Sequence, residues 1–344
     1  MEEKIAKKRA KRLHMEHERE NIITSGKLFI DVFLGILGKT NATPEVCTKY
    51  LKKVLHAIFF LGHINKPQIL PEDFIPDHLQ GNLRIRCPEI FEQCKTHLAR
   101  QTPYSILLEF MAENDNVKDP QNFISQLANV NSSLWKMDRT IGSHPVANDF
   151  AFTAYIIAYS CYRDARTNGI LKIAYGSSMS CKGKIPRQIM IRISALYKWD
   201  KAISYAVCRH RNSPAIMFPN QVQCETFSFQ AQKCNFRRIP SCTDCEKLFK
   251  NEQPDPLSIT DKEICLYGSL AETESVSNLL MCCPDLRNTT VSEQFNNQNP
   301  MNREEIEHIF TTEYQQQLIS ELRSLLNSRD FTLPEGEWLF YNPV

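Results

Sequence analysis

Along the first half of the chain, apolar residues recur at helical spacing. Leu28, Phe29, Val32, Phe33, Ile36 and Leu37 fall every three or four positions, which predicts an amphipathic helix over 25–37. A charged helix is expected before it over 1–20, carrying the basic block Lys7-Lys8-Arg9-Ala10-Lys11-Arg12. Thr43-Pro44-Glu45 opens the next helix, with Thr43 as N-cap and Pro44 where a missing N–H costs nothing. Val46, Tyr50, Val54, Ile58 and Leu61 form its apolar stripe, and Gly62 is expected to end it. His56 and His63 lie about two turns apart on this helix, with no carboxylate or cysteine at matching spacing. They read as packing residues. Pro67, Pro71 and Pro76 predict a loop, and helices follow over 88–99, 103–114 and 120–135, each with a proline near its start. The aromatic stripe Phe150, Phe152, Tyr155, Tyr159 and Tyr162 predicts a further helix over 148–167.

The pattern changes at Asn168-Gly169. Two strand-length runs rich in β-branched and aromatic residues, 188–197 and 202–209, predict a β-hairpin. A helix over 221–232, a strand over 235–239 and a helix starting near Cys242 are expected next. A turn-rich break leads to a strand or short helix at 263–267 and a helix over 271–280 with Val276, Leu279 and Leu280 on its apolar face. A polar loop over 287–302 precedes a long helix over 303–327, and Trp338, Phe340 and Tyr341 supply enough aromatic surface to dock the last segment. The fold class expected is therefore α/β: a helical scaffold or docking domain over 1–167, then an α/β domain with a mixed sheet over 168–344.

Charge changes the picture more than composition does. The net charge of +2 hides an asymmetry, because residues 251–344 hold 16 acidic and five basic side chains. The densest basic part, 172–211, has nine Lys or Arg against the single Asp200. Such a face suits a polyanionic partner, nucleic acid or a nucleotide. A solvated surface balanced by the acidic C-terminal part explains it equally well. No apolar run is long enough to span a bilayer, and the first residues lack the apolar stretch of a secretory signal. The expectation is a cytoplasmic or nuclear protein, free of membrane, whose 13 cysteines are thiols. A protein partner is expected on the helical N-terminal region, and the basic block reads as an import signal or a solvated helix end.

Candidate chemistry gathers in 214–250. Two cysteines separated by two residues, Cys242 and Cys245, can place both sulfurs on one metal, with Pro240 just upstream. Gln223-Cys224-Glu225-Thr226 adds a carboxylate some twenty residues earlier. Together these residues resemble the cytidine-deaminase-like superfamily, whose signature is His or Cys, any residue, Glu, followed by Pro-Cys-x-x-Cys. The resemblance covers about a tenth of the chain. It implies zinc held by Cys242 and Cys245, and Glu225 as the proton shuttle of a nucleobase or nucleotide deaminase. Gln223 stands where the first ligand belongs, and Cys224, the neighbouring candidate, lies one position out of register with the acid. The departure implies a deaminase-like domain that has lost catalysis and serves as a binding or regulatory module. An active zinc hydrolase is one rival. The other is an unrelated interaction protein with a structural zinc held by Cys224, Cys234, Cys242 and Cys245. A second echo, Ala271-Glu272-Thr273, follows the cysteine pair and reads as a helix N-terminus.

Overall fold

The computed structural model describes residues 2–114, 119–136, 151–209, 216–241, 245, 248–250, 268–292, 300–333 and 338–343. Its first part is helical throughout. Helix α1 (Glu2–Leu37) joins the two expected helices into one, and its second half buries Phe29, Ile30 and Phe33. Helix α2 (Pro44–His63) begins as its cap residues predict, with Val46 N donating to Thr43 Oγ1 at 3.4 Å. Short helices α3 (Pro71–Phe74), α4 (Gln80–Arg86) and α5 (Pro88–Gln93) lead to α6 (Pro103–Asn114) and α7 (Pro120–Lys136). Every one of these except α4 starts on or beside a proline, which pre-sets the backbone angle without removing a used donor.

The second part is α/β. Its strands are β1 (Ile156–Arg163), β2 (Ile170–Ser177), β3 (Ile216–Met217), β4 (Val222–Gln230), β5 (Asn235–Ile239), β6 (Phe249–Lys250) and β7 (Val291–Ser292). A four-stranded antiparallel sheet runs β2-β1-β4-β5, and a small mixed sheet runs β6-β3-β7. Helices α8 (Lys184–Tyr197) and α9 (Lys201–Arg209) stand between β2 and β3. Helices α10 (Ala271–Cys282), α11 (Pro284–Asn288), α12 (Arg303–Ile309) and α13 (Gln315–Asn327) follow, the last two joined through a π-helical turn at Phe310–Tyr314.

Three local expectations are overturned. The hairpin over 188–209 is the helix pair α8 and α9, so the topology that supported the deaminase-like resemblance is not formed. Ile189, Ile191 and Ile193 alternate as in a strand, but Pro186, Ile189, Met190 and Ile193 also share one helix face and are all buried. Packing against α13, through Leu322 and Leu326 of the same core, decides between the two periods. The helix over 148–167 gives way to β1, and the one over 221–232 to β4. Both strands lie inside the sheet, paired on each side, and these long-range pairings override the local helical pattern.

The expected boundary at 167/168 falls in the turn between β1 and β2, which pair from Ile157↔Ser177 to Arg163↔Ile170. One core holds side chains of α1, α2, α6 and α7 together with Ile157, Tyr159, Tyr175 and Phe227 from one face of the sheet. A second core gathers α9, α10 and α12 with the small sheet. The four-stranded sheet is thus a middle layer between the helical part and α10. Among the described residues no helix is long and apolar enough to cross a membrane.

Candidate functional site

Cys224 and Glu225 are neighbours on β4, and successive strand residues point to opposite faces. Cys224 faces α10, its sulfur 3.9 Å from Ser275 Oγ. Burial pushes its thiol up to about 12, with the Glu272 carboxylate adding to the effect, so the ligating thiolate is disfavoured. Glu225 lies on the other face, accepting the Tyr159 hydroxyl, its carboxylate 3.5 Å from Arg238 Nε. The two cannot serve one metal-bound water. Cys234 sits in the turn between β4 and β5, at φ 52°. The six residue steps along the strand from Cys224 to Gln230 span about 20 Å. Zinc–sulfur bonds of about 2.3 Å cannot bridge that separation, so Cys224 and Cys234 do not share a four-cysteine site. Cys245 is buried, and Cys242 lies outside the described residues. Among the described residues, no three His, Cys, Asp or Glu side chains are grouped so as to hold a metal ion.

The echo read only as a helix start turns out to occupy the middle of the molecule. Helix α10 lies directly on β1 and β2, where a Cβ on Gly176 would stand 2.3 Å from Ser275 N and 2.4 Å from Ala271 O. Glycine is required there because two backbones touch. Its N-cap, Leu270, offers no side-chain acceptor, and two carboxylates stand in the first turn near the positive end of the helix. Glu272 accepts from Thr226 Oγ1 at 2.9 Å. Glu274 accepts from Ser177 N at 2.8 Å, Ser177 Oγ at 3.2 Å and Ser105 Oγ at 3.1 Å. Burial raises the Glu274 carboxyl against those bonds and the field of Lys198. Ser275 and Ser160 share a hydrogen bond at 2.8 Å across the same contact. Beside Glu274 lies a cavity of only 10 Å³, about one water. This seam is polar and tightly packed, and it has no room for a substrate.

A second cavity, of 170 Å³, opens between α2, α6, the end of α8 and the C-terminal segment. The C-terminal segment is pinned by backbone bonds, Leu98 N to Leu339 O at 2.8 Å and Tyr341 N to Leu98 O at 3.1 Å. That pairing lays the Tyr341 ring on His56, centroids 4.1 Å apart and planes within 5°. Both residues line the cavity and both are buried, and His56 Nε2 and Tyr341 Oη have no hydrogen-bond partner among the described residues. Burial drives the imidazole down to about 3, so it is neutral near pH 7.

The cavity wall carries Lys49, Lys53, Arg100 and Lys198 against one carboxylate, Glu109. Glu109 is held by Lys53 Nζ at 2.8 Å and Lys198 Nζ at 3.1 Å. Burial works to raise its carboxyl, but Lys198, Lys53 and a hydrogen bond from Gln101 more than offset this and hold it at about 2. Lys49 and Arg100 are exposed at the mouth, and neither has an ion-pair partner among the described residues. The Arg100 guanidinium instead sits 5.4 Å from the Phe340 ring centroid. Four separate stretches of chain supply this set, so no sequence motif announces it. The one signal is Lys198, which belongs to the basic stretch 172–211.

No protein-family model, curated protein or solved structure matches this chain.

Proposed function

We propose that this chain is a non-catalytic binding module that holds a small anionic molecule in the cavity between α2, α6 and the C-terminal segment. One observation carries the reading: the cavity is lined by Lys49, Lys53, Arg100 and Lys198 against one carboxylate, Glu109, and the two exposed cations, Lys49 and Arg100, have no ion-pair partner among the described residues. Cations left uncompensated around a concave space mark a place where an anionic ligand can supply the missing charge. The nucleobase deaminase reading draws no support from the placement of Cys224 and Glu225 on opposite faces of β4, and no zinc-dependent step is proposed. The deaminase-like resemblance therefore rests on its motif residues alone, and the binding role does not depend on it.

Inorganic phosphate and small organic anions are the probes, added to the full chain at low ionic strength. A ligand at about 100 times its Kd raises stability by about 2.7 kcal/mol, a shift of several degrees in Tm. Replacing Lys49 or Arg100 by Ala is expected to weaken binding about tenfold each, the worth of one charge-assisted hydrogen bond. Affinity unchanged in the double variant, measured by titration calorimetry, would overturn the reading.

A further inference from the structure

An exposed aromatic ring beside the cationic mouth narrows the ligand. Tyr197, the last residue of α8, lines the cavity next to Lys198 and is 36% exposed. Both residues belong to the basic stretch 172–211. The Tyr197 ring packs on Phe340, centroids 4.3 Å apart, with the Trp338 ring 6.3 Å away. Backbone bonds from Leu98 to Leu339 and Tyr341 fix the segment that carries those two rings. A ring braced by two others and still reached by solvent offers a firm, flat, apolar surface.

Arg100 stands next to this platform. Its guanidinium lies over the same Phe340 ring, 5.4 Å from the centroid. A guanidinium laid on a ring keeps the N–H donors in its own plane for other partners. No ion pair engages them among the described residues. Phe340 thus joins a cation to an exposed aromatic ring, and a single small molecule can reach both. Such a ligand carries an anionic group at one end and a flat π face at the other.

Size narrows it again. A cavity of about 150 Å³ holds one benzene ring, and this one measures 170 Å³. A base, a sugar and a phosphate together exceed that space, so a nucleotide fits only with its base on the rim, where Tyr197 is exposed. Inorganic phosphate or a sugar phosphate satisfies the cations and leaves the ring uncovered.

Building on the binding reading above, we infer that the anion is the phosphate of a nucleoside monophosphate. The phosphate lies on Lys49 and Arg100, the sugar enters the cavity, and the base stacks on the Tyr197 ring. Stacking of this kind is tolerant of base identity, because every base has a π face.

Calorimetric titration of the full chain with inorganic phosphate, ribose 5-phosphate, adenosine and adenosine 5′-monophosphate tests this. The nucleotide is expected to bind about tenfold tighter than ribose 5-phosphate, within the worth of one base–aromatic stack. Tyr197→Ala should abolish that advantage while ribose 5-phosphate binds as before, and Tyr197→Phe should keep it. Should the Ala variant fail to fold, Tyr197→Leu, which retains an apolar side chain against Phe340 but no flat face, takes its place. A nucleotide no tighter than ribose 5-phosphate, or an advantage that survives Tyr197→Ala, would overturn the nucleotide assignment and leave the anion seat standing. Adenosine binding as tightly as its monophosphate would overturn the place given to the phosphate. A short single-stranded oligonucleotide more than about tenfold tighter than the mononucleotide would overturn it in favour of a strand. If inorganic phosphate and both esters all fail to bind at roughly 10 mM, the binding reading falls as well.

Discussion

The α10 seam and the cationic cavity are both polar places inside the same molecule, and they differ in one respect. In the seam Ser105 Oγ, Ser177 Oγ and the Ser177 N–H all converge on one carboxylate oxygen of Glu274, and the space beside it holds about one water. In the cavity Glu109 is equally well held, but 170 Å³ of open space lies beside it, and Lys49 and Arg100 on its wall have no ion-pair partner among the described residues. A saturated polar cluster fixes how two elements pack, because removing any member strands the others. Uncompensated cations bordering open space are placed to meet an anion. Acidity is thus no guide to function here, since the more acidic of the two places is the structural one.

The comparison is broken most forcefully at Gly176. Its replacement by Val should cost about 3 kcal/mol or more in urea unfolding, because the new Cβ would meet the backbone of Ser275 and Ala271 rather than a movable side chain. A loss below about 1 kcal/mol would mean that α10 does not rest on the sheet as described.

Glu274 separates charge from hydrogen bonding. Glu274→Ala should cost about 2 kcal/mol by leaving the Ser177 N–H and the two hydroxyls without their acceptor. Glu274→Gln keeps an acceptor and removes a buried charge, so it should be neutral or stabilising at pH 7. The sign follows from the raised carboxyl. A group harder to ionise in the folded chain favours folding while it is protonated in both states, and that advantage is lost as pH climbs above the ordinary carboxyl value. The gain from Gln should therefore disappear below about pH 4. A Gln variant as damaging as Ala would show that the charge itself is needed.

His56 sharpens the other side. Its imidazole titrates near 6.5 when free and about 3 in the folded chain. From pH 6.5 downward the unfolded chain gains a proton that the folded chain refuses, so stability falls toward pH 3 at up to about 1.4 kcal/mol per pH unit. Other groups titrate in the same window, Glu109 among them, so the difference between wild type and His56→Gln isolates the term. That difference should shrink by about 2 kcal/mol between pH 7 and pH 5 in chemical unfolding. A pH-independent difference would place the ring in contact with solvent.

The helical first part was legible because its signals are local. Thr43 and Pro44 start α2 where a cap and a pre-set angle put it, and the prolines at 103 and 120 do the same for α6 and α7. The strand Asn235–Ile239 falls where it was expected, and the helix from Ala271 was readable from its apolar face. Neither the nature of β1 and β4 nor that of α8 and α9 could be read this way. Their apolar residues satisfy both periods, and only neighbours far along the chain choose between them.

Sequence by itself determined the helix starts, the order of a helical part before an α/β part, and the charge asymmetry between chain regions. The sites belonged to tertiary structure. Adjacency on β4 looked like proximity for Cys224 and Glu225, but strand geometry turned them to opposite faces. Lys49 and His56 share α2, but Arg100, Lys198 and Tyr341 come from distant parts of the chain, and they meet only because Leu98 pairs with the C-terminal segment while α8 ends beside α6. A cap or a proline acts on the residues beside it. A missing hydrogen-bond partner exists only once the whole chain has closed around it.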